Sequence, residues 1–293
     1  MDLWGIVANH IARVVGRSVD PIHTPRMIGG STARATIFET AAGKYFVKIG
    51  RPEQEQMFAA EAEGLRTIRD KNVIRVPNPV CLGSGEGTSF LVLEYLDLVD
   101  MESTVQTELG RRLAALHRVT QPQFGWHRDN TIGTTPQLNT YASDWAEFFR
   151  DRRLRFQLAL CARNGYRELE ERAAPLLDRL GAFFSGYHCL ASLLHGDLWA
   201  GNAGATALGE PVIFDPALYF GDREADLAMT KLFGGFSEAF YAGYEAEWPL
   251  APGYEKRRVL YNWYHVLNHL NLFGLSYMGQ ARRMLSELLS EIR

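Results

Sequence analysis

Near the N-terminus apolar residues recur at helical spacing, Leu3, Ile6, Val7, Ile11, Val14 and Val15, interrupted by Asn9, His10 and Arg13. Residues 1–20 therefore read as an amphipathic helix packed on a core and not as a leader peptide. The period then shortens. Residues 35–40 and 45–49 alternate as strands about a turn at Ala42 and Gly43, which predicts a hairpin. Helical spacing returns over 53–70 at Met57, Ala60, Leu65 and Ile68, with Pro52 where a first turn tolerates it. Two further strands, 80–82 and 90–94, flank the Gly-rich turn at 83–87. Beyond Tyr95 the pattern becomes helical, over 104–117, 143–162, 166–185, 223–233 and a long apolar-aromatic stretch at 259–292, broken by strands and loops only at 192–213.

The predicted architecture is α+β with two lobes: residues 1–96 a small antiparallel-sheet lobe with one crossing helix, residues 97–293 a larger helical lobe. That is the organisation of kinases, and also of many other two-lobed enzymes. Composition narrows the field. With 293 residues, 46% hydrophobic and 22% charged, the chain can bury a large core and shows no bias towards disorder. A formal net charge of −3 leaves no cation surplus for a nucleic-acid backbone. The arginine cluster Arg150, Arg152, Arg153 and Arg155 reads as a solvated helix face. No stretch approaches the roughly 18 apolar residues a membrane span needs. Three widely spaced cysteines, Cys81, Cys161 and Cys189, suit reduced thiols in a cytoplasmic protein, and nothing calls for an obligate protein partner.

Chemistry concentrates in His195-Gly196-Asp197-Leu198-Trp199-Ala200-Gly201-Asn202, an H-x-D-x-x-x-x-N string behind the apolar Leu193 and Leu194. Phosphoryl transfer needs a carboxylate at the attacking hydroxyl and an oxygen ligand for Mg2+ one loop away, and an Asp and an Asn five positions apart supply both. Asp197 is the candidate base and Asn202 a candidate metal ligand; the plain alternative is a turn whose Asp and Asn satisfy backbone donors. Thirteen residues on, the strand Val212-Ile213-Phe214 ends in Asp215, the second candidate metal ligand. Pro216 and Ala217 follow where protein kinases carry Phe-Gly, which argues against a protein kinase proper. Lys48, in Phe46-Val47-Lys48-Ile49, is either an edge-strand lysine or the phosphate-binding lysine, with Glu61 on the next helix as its ion-pair partner. Gly30, Ser31 and Thr32 before the hairpin would let backbone amides approach ATP phosphates, although the full G-x-G-x-x-G is missing. Glu94, Tyr95 and Leu96, running from the last strand into the connector, are the candidate adenine site.

These residues resemble the fructosamine (ketosamine) kinases, within the aminoglycoside phosphotransferase and choline kinase superfamily. Beyond the loop at 195–202, the resemblance rests on Met57-Phe58, on Phe124-Gly125-Trp126-His127-Arg128-Asp129-Asn130-Thr131-Ile132-Gly133, on Thr135-Pro136-Gln137 with Asp144-Trp145 and Phe148-Phe149, and on Phe233-Gly234-Gly235-Phe236. Tyr264-His265 and Asn268-His269-Leu270-Asn271-Leu272-Phe273-Gly274 complete it. It implies ATP- and magnesium-dependent phosphorylation of a sugar 3-hydroxyl in small-molecule or protein-bound ketosamines, with release of the amine from the unstable product, a deglycation. By the same resemblance Trp199 is a substrate-site aromatic or a core residue. His265 and His269 line the sugar pocket or are satisfied core polar groups, and Asp226 braces the catalytic loop. Some eukaryotic members carry a redox-active cysteine in the glycine-rich loop where this chain has Ser31 and Thr32, so no disulfide switch is expected there. The rival readings are an aminoglycoside or choline phosphotransferase and, in a different class, a nucleotide-binding pseudokinase scaffold, which would have lost Lys48, Asp197 or Asp215.

Overall fold

The computed structural model describes residues 2–25, 27, 34–41 and 43–292. By packing, the chain divides into two compact units, one of Met1–Val105 with Ala203–Pro216, the other of Gln106–Asn202 with Ala217–Arg293. The first unit thus runs past the division expected after Leu96 and takes back a later segment.

In the first unit, α1 (Leu3–Val15) starts at Asp2, whose side chain accepts from Gly5 N at 2.9 Å, and stops at Gly16, left-handed at φ 73°. Strands β1 (Arg34–Thr40), β2 (Gly43–Gly50), β3 (Pro79–Gly85) and β4 (Thr88–Glu94) form an antiparallel sheet in the order β1-β2-β4-β3. Strand alternation decides what β2 presents. Val47 and Ile49 join Phe38, Phe90 and Val92 in a core with Val7 and Ile11 of α1. Lys48 and Gly50 point to the opposite face, where α2 (Glu55–Arg69) lies close enough that a Cβ on Gly50 would stand 3.1 Å from the Phe58 ring. The hairpin, the helix crossing it and the two following strands are as the hydrophobic pattern predicts.

The returning segment explains the unit boundary. Short strand β5 (Leu98–Val99) pairs with β10 (Ala203–Thr206), which pairs with β11 (Pro211–Ile213). Ile213 N donates to Arg75 O at 3.1 Å, tying the end of β11 to the chain between α2 and β3. None of these pairings has a local sequence signature.

The second unit takes most of α3 (Ser103–His117) and is built on α4 (Trp145–Phe148), α5 (Arg155–Arg163), α6 (Arg167–Asp178), α7 (Arg223–Leu232), α8 (Glu238–Glu247), α9 (Tyr254–Phe273) and α10 (Met278–Glu291). Three expected helices are divided, the 166–185 stretch where α6 ends at Asp178 and a 3-10 turn follows over Leu180–Phe184. The 143–162 stretch contains a π turn at Phe149–Leu154, and the 259–292 stretch breaks at Gly274, φ 81°. The π turn carries Arg153, which is fully buried and so departs from the solvated face expected for its cluster. Strand β9 (Ala191–Leu194) is wholly buried between β6 (Thr120–Gln121) and β12 (Tyr219–Gly221), and a two-stranded ribbon joins β7 (Asn130–Ile132) to β8 (Thr135–Gln137). Among the described residues no helix is long and apolar enough to cross a membrane.

Candidate active site

In the first unit, Lys48 Nζ lies 2.8 Å from Glu61 Oε1 and 2.5 Å from Asp215 Oδ1. Residues from β2, from α2 and from the segment after β11 thus meet on one ammonium. Burial alone would favour the neutral amine, but Asp215 and Glu61 outweigh it and raise the Lys48 pKa, so the cation persists. Burial raises the Glu61 carboxyl, against the pull of Lys48. Asp215 itself has φ 58°, a left-handed conformation uncommon for a residue with a side chain, which orients its carboxylate at the strand end. The expected Lys48–Glu61 pair is therefore present, and Asp215 joins it.

The connector residues have partners of their own. Glu94 receives Arg75 as an ion pair, its carboxylate accepts from Asn78 N at 3.1 Å, and its N–H donates to Asn78 O at 2.8 Å. Tyr95 and Leu96 follow half-buried, with Lys44 Nζ 5.7 Å from the Tyr95 ring centre. Gly30, Ser31 and Thr32 lie outside the described residues.

In the second unit, β9 leads into the loop that carries Asp197. Asn202 Nδ2 donates to Asp197 O at 2.9 Å and lies 3.4 Å from Asp197 Oδ2, so the two residues singled out by spacing are in contact. The backbone before Asp197 is fixed from beneath by Asp226 of α7, whose carboxylate accepts from His195 N at 2.7 Å and Gly196 N at 2.8 Å. Burial would raise the Asp226 pKa, yet the hydrogen bond and charge of His117 with those N–H groups hold it below the usual carboxylate range. His117 Nε2 stands 3.2 Å from Asp226 Oδ2 and its Nδ1 2.8 Å from Tyr244 OH. The bracing role expected of Asp226 has a geometric basis; His117, 109 residues away in the chain, carries no sequence signal for it.

Trp199 is 40% exposed, which removes the core reading. Its ring is 6.4 Å from Phe233, which lies 4.9 Å from His269, and His269 also meets Phe273 at 5.4 Å and Tyr277 at 5.1 Å. An aromatic surface thus starts two residues beyond Asp197. His269 Nδ1 is 2.8 Å from His265 O, and burial lowers its pKa despite that contact. His265 is buried, its pKa driven down to about 3 by burial, and its Nδ1 finds no hydrogen-bond partner among the described residues. Of the three candidate substrate residues, Trp199 and His269 share this surface and His265 lies buried one helical turn away on α9.

Comparison with known proteins identifies the family. The fructosamine kinase family model covers residues 3–291. A Synechocystis protein named a probable ketoamine kinase is 43% identical over 98% of this chain and 97% of its own. The chloroplastic protein-ribulosamine 3-kinase of Arabidopsis thaliana is 42% identical over 90% of this chain and 82% of its own. A Haemophilus somnus crystal structure named as a fructosamine-3-kinase has 26% identity and TM-score 0.90, covering 98% of this chain and 100% of that one. A choline kinase of Streptococcus pneumoniae, 14% identical with TM-score 0.61 over 98% of each chain, shares the protein-kinase-like fold. The chain belongs to the fructosamine kinase family.

Proposed function

We propose that this chain is an ATP-dependent kinase that phosphorylates the sugar 3-hydroxyl of ketosamines, small or protein-bound, and so initiates their deglycation. The observation that carries the reading is Lys48 held between Glu61 and Asp215, an ammonium kept charged and aimed where ATP phosphates are anchored in this fold. Family membership selects the acceptor. Relatives named for ketoamines and ribulosamines support a ketosamine over choline or an aminoglycoside. The retention of Lys48, Asp197 and Asp215 argues against a pseudokinase scaffold.

In the proposed reaction the sugar oxygen attacks the γ-phosphorus, the bond from that phosphorus to the ADP oxygen breaks, and the hydroxyl proton passes to the Asp197 carboxylate. Asp215 and Asn202 offer hard oxygen donors, a carboxylate and an amide, which suit magnesium; when bound, it neutralises charge on the phosphate oxygens. Lys48 holds those phosphates, and Tyr95 and Leu96 flank the adenine. Trp199 and His269 offer ring faces to the acceptor, whose protonated amine is attracted to a neutral aromatic face and repelled by a cationic one. On decomposition of the phosphorylated product the amine is freed.

The test is ATP consumption with magnesium, comparing ribulosyl-lysine, fructosyl-lysine, an aminoglycoside and choline in parallel. Turnover with a ketosamine alone is expected, and Asp197→Asn should retain ATP binding while losing about 10²- to 10⁴-fold in kcat. Turnover restricted to choline or the aminoglycoside would overturn the acceptor; wild-type rates in Asp197→Asn would overturn the base.

A further inference from the structure

The family's distinctive stretches at 124–133 and 135–137 touch neither phosphate nor acceptor in the mechanism above, yet they and the residues just after them carry buried amide side chains. Asn130 is 9% exposed, Gln137 1% and Asn139 0%. Their amides form one connected chain. Arg153 Nη2 donates to Asn139 Oδ1 at 2.8 Å, and Asn139 Nδ2 donates to Asn130 Oδ1 at 2.9 Å. Gln137 Nε2 donates to Asn130 Oδ1 at 2.8 Å and to Ala217 O at 3.0 Å, while Asn130 Nδ2 donates to Leu218 O at 2.7 Å. Tyr264 OH, from α9, fixes the other end of Gln137 by donating to its Oε1 at 2.9 Å.

The chain of amides ends on the catalytic loop. The Ala217 carbonyl that Gln137 holds lies so close to Gly196 that a Cβ there would stand 2.1 Å from its oxygen, and Gly196 has φ 84°. Gly196 is thus confined between Ala217 O on one side and the Asp226 carboxylate, which accepts its N–H, on the other. Asp197 is the next residue. Arg153 shows how much is committed to this arrangement: it is fully buried, its guanidinium donates to the Leu138 carbonyl and to Asn139 Oδ1 and lies against the Phe148, Tyr219 and Tyr264 rings, and its Nε has no hydrogen-bond partner among the described residues. A merely stabilising apolar filling would avoid that desolvation.

We infer that Gln137, backed by Asn130, Asn139, Arg153 and Tyr264, is a positioning residue that holds the Ala217 carbonyl against Gly196 and thereby sets the placement of Asp197. The inference rests on the reading of Asp197 as the base. Removing the Gln137 donor frees the Ala217 carbonyl to turn, and Gly196 gains the room that its neighbours deny it. A displacement of about 1 Å at a base is enough to lose about 10²-fold in rate.

The test compares wild type, Gln137→Met, Tyr264→Phe and the double variant in three readouts: kcat and KM with ribulosyl-lysine and ATP, hydrogen exchange of the 193–202 peptide, and Tm. Expected for Gln137→Met is a kcat lower by about 10- to 100-fold with both KM values within about threefold, and faster exchange in 193–202. Tyr264→Phe should shift both in the same direction by less, and the double variant should be no worse than Gln137→Met. Wild-type kcat and loop exchange in both single variants, whatever their Tm, would overturn the inference, as would exchange rising equally throughout α9 and α10. If Gln137→Met does not fold, Tyr264→Phe decides by the same criteria. If wild type itself turns over no ketosamine, the functional reading falls, and loop exchange alone decides whether Gln137 holds the loop.

Discussion

Replacing Asp226 by Asn should destabilise the protein more than an isosteric change usually does, because the carboxylate serves three donors: His195 N, Gly196 N and the His117 ring. An Asn at this position has one acceptor oxygen, and its NH2 group faces donors. Hydrogen bonds to a charged group contribute about 1.5–3 kcal/mol each, so losing two, with non-additivity between neighbours, predicts a deficit of about 3 kcal/mol. Urea unfolding followed by tryptophan fluorescence at pH 7 measures it. The pH dependence has a definite sign. The folded-state pKa of Asp226 lies below its ordinary value of 3.8, so its contribution is fully present above 3.8 and fades as pH falls through the folded value. The deficit should therefore be flat between pH 7 and pH 5 and narrow only below about pH 4. A deficit under about 1 kcal/mol, or one that shrinks already between pH 7 and 5, would refute the assignment of Asp226 as an ionised brace.

Three further outcomes are expected. Lys48→Met should lower kcat/KM by at least about 10²-fold in the ATP-consumption assay, and Lys48→Arg should not restore it, since a planar fork cannot sit as a point charge between Glu61 and Asp215. Arg257→Met leaves Glu224 buried and unpaired and should lower stability by about 3–5 kcal/mol in urea titration, whereas the double change with Glu224→Leu should recover much of that. Burial pushes the Cys81 and Cys161 thiols up to about 12, so at pH 8 a thiol-reactive dye should label at most one cysteine of the native protein rapidly and all three after unfolding.

The fold was legible where a local pattern determines structure. Alternation in β2 announces both the hairpin and the face that carries Lys48, and the string at 195–202 brings Asp197 and Asn202 together because loop spacing alone suffices. What escaped sequence reading depends on non-local pairing or on breaks with little signal. The ribbon of β7 and β8 is only three residues a strand, and β10 and β11 return to β5 from a hundred residues away. The π turn and the stop at Gly274 interrupt apolar spacing that would otherwise continue. Arg153 read as surface because its neighbours are arginines; only the packing of Phe148, Tyr219 and Asn139 around it reveals a buried cation. His117 was invisible for the same reason, since its partner Asp226 lies on a different helix.

The return of Ala203–Pro216 to the first unit bears on how the protein is made. Neither unit is a continuous stretch of chain, so no single cut separates them as intact pieces. During synthesis the ribosome must pass residue 216 before the first unit has all its strands, and until then Leu98–Val99 lacks the β10 strand it pairs with. Asp215, the carboxylate on Lys48, arrives with that late segment. Until then the nascent lobe holds Lys48 paired with Glu61 alone, and the second carboxylate on that ammonium is added only when the returning segment docks.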